Sequence, residues 1–176
     1  QTKITDTVYY NNIWEICEQP IASYYRIGSL EVMDSFWYYT GNVKDYTING
    51  LLIMEGEYSE NGFRNGTFKF YYANGKLSAT GDYEKGNATR NWRYYYPSGA
   101  AEAEIYFPPD GQDFKFITFK DESGKILLEN GTGKFTWNTN IFDIVKGMAV
   151  NGSFNSGKRS GIWVYIDHFI DDDIIF

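Results

Sequence analysis

The sequence predicts an all-β fold, with antiparallel β-hairpins laid side by side into an elongated, twisted single-layer or curled sheet. Three observations predict it. Aromatic residues make up 19% of the 176 residues, with 16 Tyr, 13 Phe and 5 Trp beside 18 Gly and only 4 Pro, and such side chains suit a pleated, half-buried surface. Asn-Gly begins at Asn49, Asn61, Asn65, Asn74, Asn130 and Asn151, and Ser-Gly at Ser98, Ser123, Ser156 and Ser160; both residues of a type I′ hairpin turn need positive φ, which Asn and Gly tolerate. Finally, Gly62, Gly86 and Gly157 are each followed six residues on by a ring (Phe68, Trp92, Trp163), and two beyond by another (Phe70, Tyr94, Tyr165).

Residues 1–55 are ring-rich but interrupted by Pro20, Gly28 and Gly41, and are expected to form the first strands or an irregular cap. Residues 56–107 hold two clear hairpins. Each is announced by Gly-x-aromatic, at Gly56-Glu57-Tyr58 and Gly81-Asp82-Tyr83, and each closes seven residues after its key ring, at Gly75 and Gly99. Alternation along a strand places Phe68, Phe70 and Tyr72 on one face, and likewise Trp92, Tyr94 and Tyr96. The glycine then makes the turn, and the ring six residues on covers a neighbour's backbone.

Residues 108–151 diverge. Pro108-Pro109-Asp110-Gly111 is a break, residues 114–119 alternate as a strand, 121–124 read as a turn, and 126–129 with 134–137 form the next pair. The last hairpin, residues 152–176, carries Gly152-Ser153-Phe154, Gly157, Gly161, Trp163 and Tyr165 before an acidic end. No segment shows helical periodicity, and the whole is one domain.

The formal net charge of −7 opposes a polyphosphate partner, and no Lys/Arg run overrides it, so nucleic acid is not expected. Cys17 is the single cysteine, which leaves no internal disulfide or Cys/His ligand cluster. No window is long and apolar enough for a membrane span. The chain opens on Gln1, read as the mature start of an exported chain whose signal peptide has been removed, so a periplasmic or secreted location is expected.

The spacing Gly-x-x-x-Gly-x-Trp in Gly157-Lys158-Arg159-Ser160-Gly161-Ile162-Trp163, with Tyr165 close by, resembles the bacterial variant of the MORN repeat (membrane occupation and recognition nexus). The pair Gly62 and Gly66 fits with Phe68 in place of Trp, whereas Arg90 stands where the middle copy should have its second glycine. Val43-Lys44-Asp45-Tyr46, Met54-Glu55-Gly56-Glu57-Tyr58 and Ser123-Gly124-Lys125 extend the likeness to the region that precedes TonB carboxy-terminal domains in exported proteins. The resemblance implies an antiparallel sheet of hairpins used as a scaffold or binding surface, in relatives sometimes labelled antitoxin-like.

Chemical signatures are sparse. His168 precedes Asp171, Asp172 and Asp173, but consecutive carboxylates alternate faces on a strand and cannot converge on one metal. Asn130-Gly131-Thr132-Gly133-Lys134 lacks the spacing and the following helix of a phosphate loop. Sequons at Asn65, Asn87, Asn130 and Asn151 coincide for the most part with Asn-Gly turns. No catalytic, cofactor or metal residue is therefore assigned.

The expected function is a non-enzymatic scaffold or binding module of the cell envelope, presenting a sheet face to a protein or carbohydrate. Tyr71 and Tyr95, opposite the core rows, are the candidate binding residues. The alternatives are an antitoxin-like inhibitor and a carboxylate-dependent glycoside hydrolase. Unpaired edge strands predict either a covering terminal segment or edge-to-edge self-association.

Overall fold

Thirteen strands, hydrogen-bonded in chain order, form one antiparallel sheet that does not close into a barrel. The computed structural model describes residues 2–33, 36–109, 114–137, 148–156 and 158–167. The strands are β1 (Thr2–Tyr10), β2 (Tyr24–Met33), β3 (Phe36–Thr47), β4 (Leu52–Tyr58), β5 (Arg64–Tyr71), β6 (Leu77–Glu84) and β7 (Asn87–Tyr95). They continue as β8 (Ala101–Phe107), β9 (Lys115–Lys120), β10 (Ile126–Glu129), β11 (Thr132–Trp137), β12 (Met148–Asn155) and β13 (Lys158–Asp167). A short 3-10 turn at Gln19–Ile21 is the one helical element among the described residues.

Gly28 and Gly41 do not break the first quarter into pieces. They lie inside β2 and β3, which run for 10 and 12 residues. Gly28 is there for a packing reason: a Cβ on it would stand 2.9 Å from the Tyr39 ring and 3.0 Å from Val43.

One face of the sheet is apolar, and two cross-strand rows carry its core. In the first, glycines alternate with large side chains: Gly28, Val43, Gly56, Phe68, Gly81, Trp92, then Ile105 and Phe116. The Phe68 ring occupies the space a Cβ on Gly56 would fill, and the Trp92 ring does the same over Gly81. Phe68 and Trp92 are thereby buried, and the expectation that each ring covers a neighbour's backbone holds for both. The glycines they cover are those of Gly-x-aromatic.

The second row reads Arg26, Asp45, Met54, Phe70, Ala79, Tyr94, Ala103, Phe119, Leu128, Gly133 and Phe154. Larger side chains again face small ones over much of its length, which keeps the layer filled without overlap. Tyr72 and Tyr96 extend the pattern: their hydroxyls donate to the carbonyls of Tyr95 (2.6 Å) and Lys120 (2.7 Å). Each ties its turn to the next hairpin.

The turns differ from the type I′ expectation. Five of the ten Asn-Gly and Ser-Gly pairs close three-residue loops in which only glycine is left-handed: Gly50, Gly62, Gly75, Gly99 and Gly124 donate back to Thr47, Ser59, Tyr72, Tyr96 and Asp121. A type I turn followed by one left-handed residue matches the strand twist as well as the two-residue solution does. The two-residue form, with both φ positive, occurs at Lys85-Gly86 and Asn130-Gly131. Asn65-Gly66 and Ser160-Gly161 fall inside strands β5 and β13. Gly86 is thus a turn glycine of another kind than Gly62.

Arg90 has a backbone explanation. Gly41, Gly66 and Gly161 have φ of 66°, 77° and 67°, and Arg90, which replaces the glycine of the motif, adopts the same conformation at 61°. Gly157, His168 and Asp171 to Asp173 lie outside the described residues. Trp163 and Tyr165 lie on the β13 backbone, but their side chains are likewise outside.

The connection from β1 to β2, residues 11–23, is longer than the two- and three-residue turns. It begins as the same three-residue loop, Trp14 N–H donating to Asn11 and Asn11 N–H to Glu15, with Trp14 at φ 64° in the slot glycine fills elsewhere. The chain then doubles back along β1: Ile16 bridges Tyr10, and Cys17 N–H donates to the Tyr9 carbonyl at 3.0 Å. Asp6 accepts the N–H of Thr7 at 2.7 Å. The outer edge of β1 is thus partly closed by the chain itself, through an internal connection and not through the terminal segment that the edge-strand argument expected.

Candidate binding face

The face turned away from the core is polar, and its composition follows from strand alternation alone. A third unbroken cross-strand row runs Ile27, Lys44, Glu55, Lys69, Thr80, Arg93, Glu104, Thr118 and Glu129. Opposite charges meet across strands: Glu55 lies 3.7 Å from Lys44 and 3.3 Å from Lys69, and Arg93 lies 3.7 Å from Glu104. Asp82 accepts from Thr67 at 2.7 Å and pairs with Arg90 at 3.3 Å. Such exposed pairs contribute about 0–1 kcal/mol each to stability; their chief effect is a patterned surface.

Beside the charges lies a series of tyrosines. Tyr9 and Tyr25 stand opposite one another with ring centroids 6.1 Å apart, and Tyr25 stacks on Tyr46 at 5.0 Å with 11° between planes. Tyr46, Tyr71 and Tyr95 then hold the same place in β3, β5 and β7, each just before a three-residue turn and opposite Leu52, Leu77 and Ala101. They sit on alternate strands, about 10 Å apart at the ~4.8 Å strand spacing. All are half-buried.

Tyr71 is the best defined of them. Its hydroxyl donates to Glu55 Oε1 at 2.7 Å, and Lys69 Nζ reaches the same oxygen at 3.3 Å. Burial first, then the Glu55 hydrogen bond and charge, push the Tyr71 hydroxyl up to about 12. Reciprocally, the Tyr71 hydrogen bond holds Glu55 below the usual carboxylate range, opposed next by burial and assisted by Lys69 and Lys44. Tyr71 is thus fixed by its neighbours, with part of the ring open to solvent.

Both candidate tyrosines lie opposite the core rows, Tyr71 through its Glu55 contact and Tyr95 through alternation with the buried Tyr94. They are not neighbours in contact but the second and third members of a series whose first member, Tyr46, sequence reasoning missed, along with Tyr9 and Tyr25. The signal was present: Tyr46-Thr47-Ile48-Asn49-Gly50 parallels Tyr71-Tyr72-Ala73-Asn74-Gly75 residue for residue at tyrosine, asparagine and glycine. Phe68, Phe70, Trp92 and Tyr94 lie on the other face as structural rings, and Gly62, Gly66, Gly75, Gly86 and Gly99 are backbone devices.

Chemically the arrangement offers ring faces and alternating charges to a flat partner. Among the described residues no group of three or more His, Cys, Asp or Glu is placed to hold a metal. No helix among them is long and apolar enough to cross a membrane. No protein-family model matches the chain, and no curated protein matches it.

Proposed function

We propose that this chain is a non-enzymatic binding module of the cell envelope, a MORN-like hairpin array that presents its tyrosine-bearing face to a protein partner. The observation that carries the reading is the recurrence of Tyr46, Tyr71 and Tyr95 at one register in three successive odd strands, beside the Lys44, Glu55, Lys69, Arg93 and Glu104 row. Tyrosine supplies large contact area at low conformational cost, and alternating charge supplies register and discrimination. A protein partner suits this face better than a glycan, because stacking of Tyr25 on Tyr46 uses ring faces that a sugar would need. An inhibitor of a partner protein would use the same surface in the same way.

The test is site-specific photo-crosslinking in the source cells, with the photoreactive residue at position 71 or 95. One predominant protein adduct is expected from both positions. Tyr71→Ala with Tyr95→Ala should weaken that complex at least tenfold while the free chain keeps its circular dichroism spectrum. Adducts that form from neither position, or a complex indifferent to both substitutions, would sink the reading.

A further inference from the structure

A second surface lies at one corner of the sheet, where the β1–β2 connection meets the β3–β4 turn. Six of the twelve exposed large hydrophobic residues among the described residues belong to these two segments: Ile13 (59%), Trp14 (40%), Ile16 (59%), Ile21 (69%), Ile48 (40%) and Leu51 (46%). The two segments are tied together, since Ile48 N–H donates to the Ser23 carbonyl at 2.8 Å. The connection is also held from within. Trp14 stacks on Tyr24 at 4.7 Å with 2° between planes, meets Tyr10 at 5.5 Å, and lies 5.8 Å from the Arg26 guanidinium. One side of the loop is therefore anchored while its isoleucines remain in water.

Two features say this exposure is more than surface scatter. Single exposed apolar residues are ordinary, whereas a cluster marks an interaction site. The connection spans 13 residues, 11–23, where the turns at Gly50, Gly62, Gly75, Gly99 and Gly124 close in three, and connections of this length in compact domains are uncommon, being functional or linker segments. A bulky tryptophan in the left-handed region is moreover costly, and Trp14 holds it in the slot that glycine fills in the sibling turns.

Charge identifies the occupant. Between Lys3 and Arg26 the sequence has no basic residue, but it has Asp6, Glu15 and Glu18; Glu15 and Glu18 are exposed within the patch, and Arg26 is committed to Asp45. A second copy meeting this corner about a two-fold axis would set the Glu15–Glu18 rim against itself. An anionic lipid surface is disfavoured for the same reason.

We propose that the corner formed by Ile13, Ile16, Ile21, Ile48 and Leu51, rimmed by Glu15 and Glu18, docks a cationic amphipathic segment of a partner protein. Its apolar side chains cover the isoleucines, and its Lys or Arg residues meet the two carboxylates. The site adjoins the tyrosine face, where the Tyr25 hydroxyl approaches Gly50, but takes none of its residues.

The full chain is titrated with a fluorescent model peptide of Leu and Lys at helical spacing, and with its Leu/Glu counterpart, by anisotropy at low and at physiological salt. The Lys peptide should bind, more weakly as salt rises, and the Glu peptide should not. Ile16→Ser with Ile21→Ser should weaken binding at least tenfold; both side chains are exposed, and an unchanged circular dichroism spectrum checks the fold. Glu15→Lys with Glu18→Lys, which leaves the apolar residues in place, should reverse the preference toward the Glu peptide. Lys-peptide binding that neither pair of substitutions changes would mean general attraction to an acidic chain and would overturn the proposal. So would a dimer, seen by light scattering, that Ile16→Ser with Ile21→Ser dissolves, since the occupant would then be a second copy.

Discussion

Arg26 and Asp45 face one another across β2 and β3 through two hydrogen bonds, Nε to Oδ1 at 2.5 Å and Nη2 to Oδ2 at 2.6 Å. They take the first two places in a row that is otherwise apolar. The rings of Tyr10, Trp14, Tyr39 and Tyr58 stand 5.2–5.9 Å from the guanidinium. Burial alone would lower the pKa of Arg26, but the Asp45 hydrogen bonds and charge outweigh it and raise the value, so the guanidinium stays charged.

A buried pair of this kind is weak support for stability when intact and costly when halved. Asp45→Ala should destabilise the fold by about 3–5 kcal/mol in urea unfolding, because the Arg26 charge loses its partner. Replacing both residues with apolar ones, Arg26→Met and Asp45→Leu, should restore most of that loss. A double variant as unstable as the single one would mean that the rings around Arg26 depend on the cation itself.

The Trp92 ring over Gly81 makes a paired prediction. Trp92 is 4% exposed, and its Nε1 donates to the Asp82 carbonyl at 3.1 Å; truncation to Ala should cost about 3–5 kcal/mol. Gly81→Ala alone should cost about 1–3 kcal/mol by overpacking, and in the Trp92→Ala background that penalty should vanish. Additive losses in the double-mutant cycle would show that ring and glycine do not touch.

Arg90 holds a left-handed backbone that its counterparts Gly41 and Gly66 adopt without strain. Relief of a non-glycine left-handed conformation is worth about 1–2 kcal/mol, set against an exposed ion pair with Asp82 worth about 0–1 kcal/mol. Arg90→Gly should therefore raise stability, by up to about 1 kcal/mol, and Gly66→Ala should lower it. A melting temperature that falls on Arg90→Gly would place the value of this residue in its side chain.

Tyr71 and Glu55 titrate in opposite senses. The raised Tyr71 pKa, from burial first and Glu55 second, stabilises the fold fully below the ordinary tyrosine value of 10.0 and ceases to do so as pH rises toward about 12. The lowered Glu55 pKa stabilises above its ordinary 4.5, and that contribution disappears as pH falls through the depressed folded value. Tyr71→Phe should move the Glu55 carboxyl titration, followed by NMR, upward toward 4.5. No movement would assign the depression to Lys69 and Lys44 alone.

The all-β class, the antiparallel hairpins and the covering role of Phe68 and Trp92 were legible because period-two alternation and glycine spacing are local properties of the chain. The turn form at Asn49, Asn61 and Asn74 was not, since Asn-Gly serves a two-residue and a three-residue loop equally and the choice depends on register across the pair. The Arg26–Asp45 pair was invisible for a related reason: 19 residues separate the two, and only the register of β2 against β3 places them opposite. Of the tyrosine series, Tyr71 and Tyr95 could be read from the clear hairpins. Tyr46 was signalled only by the Tyr-x-x-Asn-Gly ending that it shares with Tyr71, because Val43 stands where the later hairpins carry the rings Phe68 and Trp92.

The doubling-back of residues 15–17 along β1 settles which way this ribbon can be lengthened. An arriving strand on the amino-terminal side would first have to dislodge Cys17 from Tyr9 and free the Thr7 amide from Asp6. Growth of the sheet strand upon strand is thereby opposed where β1 nears its end, at the Thr7 amide and the Tyr9 carbonyl, by contacts that a newcomer would have to break.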